Sequence, residues 1–264
     1  MATKRAMLNG LVNRISAVGI ELEGGWDVRV PGHEVIRDGS VNIPIRQDQG
    51  PPDPRTGVRP IRTIGPQYGI GEVVSQPMPT SAIADWVRMC YPQHTNETCG
   101  LHVHMSFSHK LHYGRLMTPE YTDAIVRAVR EFGQREGLTS SHPLWGRVDN
   151  PQHPHCAHQY LGDKQVLVRK KDYQSRGKDY SRYTVINYCE GLHPPKPGSV
   201  SGTGTLECRL LPMFETAEMA IRAIMVVLDT TNRFLAKTRQ MERAAAVAVK
   251  ARPEVYQEYG VNLR

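Results

Sequence analysis

The sequence predicts an α+β fold in which a sheet is covered by helices on one face and carries chemistry on the other. Three observations predict it. Short runs alternate apolar and polar residues with a period of two, the pattern of half-buried strands. Two longer runs, starting near Pro119 and Thr216, repeat apolar residues at helical spacing. The chain has 264 residues, 39% hydrophobic and 22% charged, which suffices for a sizeable core in one large domain or two small ones.

The first strand is Val18 to Glu23, closed by Gly24 and Gly25. Residues 27–70 are rich in Pro, Gly, Arg and Asp. The run Pro51-Pro52-Asp53-Pro54 and the stretch from Gly57 to Pro60 interrupt regular structure, so an irregular excursion is expected there, as a lid or a substrate loop. A second strand, Gly71 to Gln76, stops at Pro77 and Pro79. Thr80 or Ser81 then caps a helix through Ile83, Trp86, Val87 and Cys90, ended by Pro92. Cys99 to Ser108 is the third strand.

Pro119 opens a helix to about Gly137, with Ile125, Val129 and Phe132 on one face. Residues 138–180 are expected to be irregular, basic and His-containing. Arg182 to Tyr188 is a fourth strand, Leu192 to Gly204 a Pro/Gly loop, and Thr205 to Leu211 a fifth strand. The last helix runs from Thr216 into Arg239, with Ile221, Ile224, Met225, Leu228 and Leu235 on its stripe. It continues through the Ala-rich run to about Ala251, before Pro253. One domain over residues 1–251 with a tail at 252–264 is the expected organisation.

Lys and Arg total 33 against 26 for Asp and Glu, a net charge of +7. The pI near 9.2 favours an anionic partner. No stretch approaches the ~18 apolar residues of a membrane span, and no apolar segment follows the basic start. Five cysteines, Cys90, Cys99, Cys156, Cys189 and Cys208, lack CxxC spacing and fit a reducing, cytoplasmic setting.

Strand alternation sorts the polar residues by face. Ile20 and Leu22 oppose Glu21 and Glu23. Leu101, Val103, Met105 and Phe107 oppose His102, His104 and Ser106. Leu206, Cys208 and Leu210 oppose Glu207 and Arg209. A solvated sheet face mixes Lys, Thr, Ser and Gln; here the polar teeth are Glu-x-Glu, His-x-His and Glu-x-Arg. Carboxylates at i and i+2 repel unless a cation lies between them. Carboxylate oxygens with imidazole and no Cys suit Mg²⁺ or Mn²⁺. Arginines beside such a site suggest a phosphate, which Arg grips with its planar fork. Arg182 and Asn187 are five residues apart, so a regular strand turns only one of them to the site unless a bulge intervenes.

The run Cys99-Gly-Leu-His-Val-His-Met-Ser106 resembles the Gly-x-His-x-His-x-Ser signature of the glutamine synthetase-like superfamily of carboxylate–amine ligases, and within it the amidoligase family. The other pieces follow in that family's order: Gly19-Ile-Glu-Leu-Glu23, Asp38-Gly-Ser40, Gly71-Glu-Val-Val-Ser75 with Pro77, Arg182-Tyr-Thr-Val-Ile-Asn187 and Thr205-Leu-Glu-Cys-Arg209. The resemblance spans residues 18–211. It implies a glutamine synthetase-like fold, a curved antiparallel sheet with ATP and divalent ions on its concave face. It implies Glu21, Glu23, Glu72, His102 and Glu207 as metal ligands. His104, Arg182, Asn187 and Arg209 would line the ATP site, and His104, Arg182 and Arg209 would meet the transferred phosphoryl group. Asp38 is the candidate base. The implied activity is ATP-dependent joining of a carboxylate to an amine, small-molecule or peptide, through an acyl phosphate. A nucleic-acid- or protein-linked acceptor is compatible with it. The absence of Gly-x-x-x-x-Gly-Lys-Ser/Thr fits, because this superfamily holds phosphates with metals and arginines.

Two alternatives stand beside the ligase. A metal-dependent hydrolase would use the same Glu/His site to activate water. A basic nucleic-acid-binding protein would use the run Arg169-Lys170-Lys171, with Arg176, Lys178 and the interleaved Tyr173, Tyr180 and Tyr183. His142, His153, His155, Cys156 and His158 lack metal-finger spacing, so a proline-rich loop is expected ahead of a structural zinc site. Trp26, Trp86 and Trp145 are expected to pack.

Overall fold

The alternation of Val18 to Glu23 extends in both directions into β1 (Ile15–Trp26). In the computed structural model, residues 14–49, 52–56, 59, 61–107, 111–116, 118–158, 184–187 and 205–251 are described. Following β1 are β2 (Arg46–Gln49), β3 (Ile61–Ile64) and β4 (Gly69–Val74). A 3-10 turn, Thr80–Ala82, leads into α1 (Ile83–Cys90). Then come β5 (Gly100–Phe107), α2 (Leu111–Leu116), α3 (Pro119–Arg135) and α4 (Pro143–Val148). The chain continues with β6 (Ile186–Asn187), β7 (Leu206–Pro212) and α5 (Ala217–Ala251).

Among the described residues five strands make one open sheet in the order β4-β1-β5-β7-β6, every neighbouring pair antiparallel. The fold is thus α+β, a five-stranded antiparallel sheet backed by helices. Ile20, Leu22, Leu101, Val103, Met105, Leu206, Cys208 and Leu210 are all buried. Burying each large apolar side chain contributes roughly 1.5–3 kcal/mol. Met105 shows what covers this face: its Sδ lies 3.5 Å from the Thr231 hydroxyl on α5. Thr231 also meets the Tyr121 hydroxyl of α3 at 2.7 Å, so a buried polar pair fixes the two helices together. Ile15 is buried although its parity differs from that of Val18, because an extra residue in β1 shifts the register between Ile15 and Ala17.

Several expectations are corrected. The cap of α1 is Ala82, with no side-chain cap bond, because the 3-10 turn takes up Thr80 and Ser81. Residues 27–70 are not wholly irregular: β2 and β3 pair antiparallel as a separate two-stranded sheet. Residues 138–180 contain α4, where Pro143 takes the first turn and the His142 ring accepts from the Leu144 N–H. The buried stripe of α5 is Ile224, Val227, Leu228, Thr231 and Leu235, and Met225 points outward at 45% exposure. Thr118 caps α3, and Gly137 adopts φ +67° just beyond its end. Trp26 is buried with its indole N–H donated to the Cys90 carbonyl, while Trp86 donates to the His33 Nε2. Among the described residues no helix is long and apolar enough to cross a membrane.

Candidate metal centre

Directly opposed residues of an antiparallel pair share a face. The register sets Glu21 against His102, Gly19 against His104, Glu23 against Glu72, His104 against Glu207, and Asn187 against Glu207. All of these side chains therefore gather on the face away from α3 and α5.

The contacts are close. His102 Nδ1 lies 3.3 Å from Glu21 and 3.4 Å from Glu207, and its Nε2 lies 3.7 Å from Glu23. His104 Nε2 lies 3.1 Å from Glu21 and 4.0 Å from Glu207. Asn187 donates its amide to Glu207 at 2.7 Å. Arg209 pairs with the other oxygen of Glu207. Glu23 accepts from the Gly100 N–H. A Cβ at Gly100 would stand 2.7 Å from His102 Nε2, so a side chain there would push that ring aside.

Charge follows geometry. Burial alone would raise Glu21, but the His102 and His104 imidazoles beside it outweigh that and hold the carboxyl well below its ordinary range. Burial would likewise raise Glu207, and the charges of Arg209, His104 and His102 outweigh it and lower it. For His104 burial works downward, and the Glu21 hydrogen bond with the charges of Glu207 and Glu21 carries it above its ordinary value. Glu72 goes the other way: burial, then contact with Glu21, push it up to about 8.

The donor set fits a hard divalent cation. Ligand atoms of Glu21, Glu23 and His102, and of Glu21, His104 and Glu207, lie within 4.8 Å of one another in each grouping. Glu21 belongs to both. His102 Nδ1 is buried without a hydrogen-bond partner, as a ring nitrogen awaiting a metal would be. Among the described residues these are the only such groupings.

The sequence-predicted residues divide as follows. Glu21, Glu23, Glu72, His102, His104, Glu207, Arg209 and Asn187 come together. Of the pair five residues apart, Asn187 faces the site, and Arg182 lies outside the described residues. Asp38 sits at the rim. Its neighbour Ile36 exchanges two 2.8 Å main-chain bonds with Glu72, its own carboxylate accepts from the Ser40 N–H and hydroxyl, and its charge reaches Glu72. Gly71 permits this approach, with φ +155° and a would-be Cβ 1.9 Å from the Ile36 carbonyl.

The histidines of 142–158 have structural partners instead. His142 lies 3.3 Å from Glu215 and stacks on Phe214, His153 accepts from the His155 N–H, and His158 meets the Arg147 carbonyl at 2.8 Å. The basic and tyrosine-bearing run 169–183 lies outside the described residues. Burial pushes Cys156 up to about 11 and Cys208 to about 12, which makes both thiols inert.

Sequence reasoning missed Arg147, which is 2% exposed behind the site. Its signal is spacing: three residues after Leu144 on a helix, it shares the buried face of α4. Compared with known proteins, the chain matches no family model, no curated protein and no solved structure.

Proposed function

We propose that this protein is an ATP-dependent carboxylate–amine ligase that uses Mg²⁺ or Mn²⁺. One observation supports this above the others: three strands deliver Glu21, Glu23, His102, His104, Glu207 and Arg209 to one sheet face at contact distance. The motif order noted in the sequence supports the same activity.

In the proposed reaction a carboxylate attacks the γ-phosphorus of ATP and ADP leaves. An amine then attacks the acyl phosphate, losing a proton, and inorganic phosphate departs as the amide forms. Glu21, Glu23, His102 and Glu207, with Glu72 once deprotonated, would hold the divalent ions. Bound there, such ions offset the repulsion between an anionic nucleophile and the phosphates. Arg209 supplies a fixed positive charge: Glu207 anchors it, and its guanidinium is held above its ordinary pKa despite burial. His104, more exposed than His102, presents its imidazole on the open side of the cluster. Asp38, at the rim, would take the proton from an incoming amine.

The test is incubation with ATP, Mg²⁺ and pooled amino acids, polyamines and peptides, followed by mass spectrometry for a condensation product alongside ADP. A product with stoichiometric ADP supports the ligase. Turnover of a substrate without ATP identifies a hydrolase instead.

A further inference from the structure

We infer that Arg147 is a positioning residue, whose guanidinium clamps a bulge in β7 and thereby fixes Arg209 against Glu207. The register between β5 and β7 breaks at His102. Leu101 pairs with Leu211, but Val103 pairs with Cys208, so Arg209 and Leu210 together stand against His102 alone. That is a β-bulge beside the metal ligands, and a bulge disrupts the ladder and re-aims a side chain. Arg209 is the first residue of that bulge, so the direction of its side chain depends on how the bulge is held.

Arg147 answers the disruption. Its Nη1 donates to the carbonyls of Arg209 at 3.1 Å and Leu211 at 3.2 Å, one on the bulge and one beyond it. Its Nη2 donates to the Cys99 carbonyl at 3.2 Å, at the mouth of β5. One planar guanidinium thus bridges both strands around His102. Lysine, with a single nitrogen, cannot make that span.

The arrangement is not ordinary core packing. Among the described residues Arg147 has no carboxylate partner, and its Nε is buried without a hydrogen bond. A buried charge held only by carbonyls is costly, and an apolar residue would fill the same space more cheaply. The position makes sense if the bulge must be held in one conformation. The inference rests on the metal-site reading, but not on ATP chemistry.

The experiment uses the full metal-free chain, as wild type, Arg147→Lys and Arg147→Met. Mn²⁺ affinity is measured by calorimetry. The Arg209 Nε–H resonance, assigned by its loss in Arg209→Lys, is followed by ¹⁵N NMR. Variants with wild-type circular dichroism are expected to shift or broaden that resonance and to weaken Mn²⁺ binding about tenfold or more. Adding Arg209→Lys to Arg147→Lys is expected to weaken binding no further than Arg209→Lys alone. An unchanged resonance with affinity within about twofold of wild type overturns the inference, whatever happens to the melting temperature. If neither variant folds, native-state hydrogen exchange on the wild type decides. Joint opening of 143–148 and 208–211 supports the clamp, and opening of α4 while 208–211 stays protected overturns it. A wild type that consumes no ATP while these results hold removes the ligase proposal alone.

Discussion

Glu23 and Glu72 stand directly opposite each other across the β1–β4 pair. Like charges so placed destabilise a sheet. The pair persists because Glu72 keeps its proton, its pKa pushed up to about 8 by burial, by contact with Glu21 and by the charges of Glu21, Asp38 and Glu23.

A cation entering beside Glu72 must displace that proton. Mn²⁺ affinity is therefore expected to rise with pH up to about 8, and Glu72→Gln to flatten the part of the rise due to this group. Calorimetry in buffers of different ionisation enthalpy would report the released proton. Identical pH profiles for wild type and Glu72→Gln would contradict the assignment.

The same proton contributes to the pH dependence of metal-free stability. Glu72 binds it more tightly folded, near 8, than unfolded, near 4.5, so its contribution is full below the lower value and is lost as pH rises to the higher. Glu21 and Glu207, held low, act oppositely and lose their contribution on acidification. The melting temperature of wild type relative to Glu72→Gln is expected to fall between pH 5 and pH 8 (roughly the window linkage assigns to this group). A constant difference across that window would rule it out.

Glu21 is common to both ligand groupings, so Glu21→Gln should disable both. The expectation is a loss of about 10- to 100-fold in Mn²⁺ affinity, no ADP production and a retained fold. ADP production at the wild-type rate in Glu21→Gln, His102→Ala and Arg209→Ala alike would refute the site.

Two glycines separate fold from function. Gly71→Ala meets the Ile36 carbonyl at 1.9 Å in a backbone conformation side chains rarely adopt, and is expected to destabilise by about 3 kcal/mol in urea titration. Gly100→Ala displaces the flexible ends of His102 and Glu23 and is expected to weaken Mn²⁺ binding more than it lowers stability. The reverse ranking would show that the two positions have been given the wrong roles.

What could be read from the sequence follows from periodicity. Glu21 with Glu23, His102 with His104, and Glu207 with Arg209 each alternate against buried apolar residues, so both the strands and the face that gathers their polar side chains are visible. The Arg182–Asn187 parity likewise required that a regular strand turn only one of them inward. The bulge at Arg209–Leu210 leaves no mark in composition, since one extra residue in an apolar run changes no pattern. Arg147 sits among histidines and prolines, where arginine ordinarily means solvent. Strand β2, Arg-Gln-Asp-Gln, has no apolar alternation and is defined by pairing with β3 alone.

The bridge between Ile36 and Glu72 has a consequence for how molecules of this protein meet. A sheet border with free amides is a template for a second copy to add its own strand. On one flank the Ile36 backbone already occupies that border, and on the other Ala157 bridges Thr184 beside the two-residue β6. With both flanks interrupted by the chain itself, edge-to-edge stacking of copies into fibrils is disfavoured.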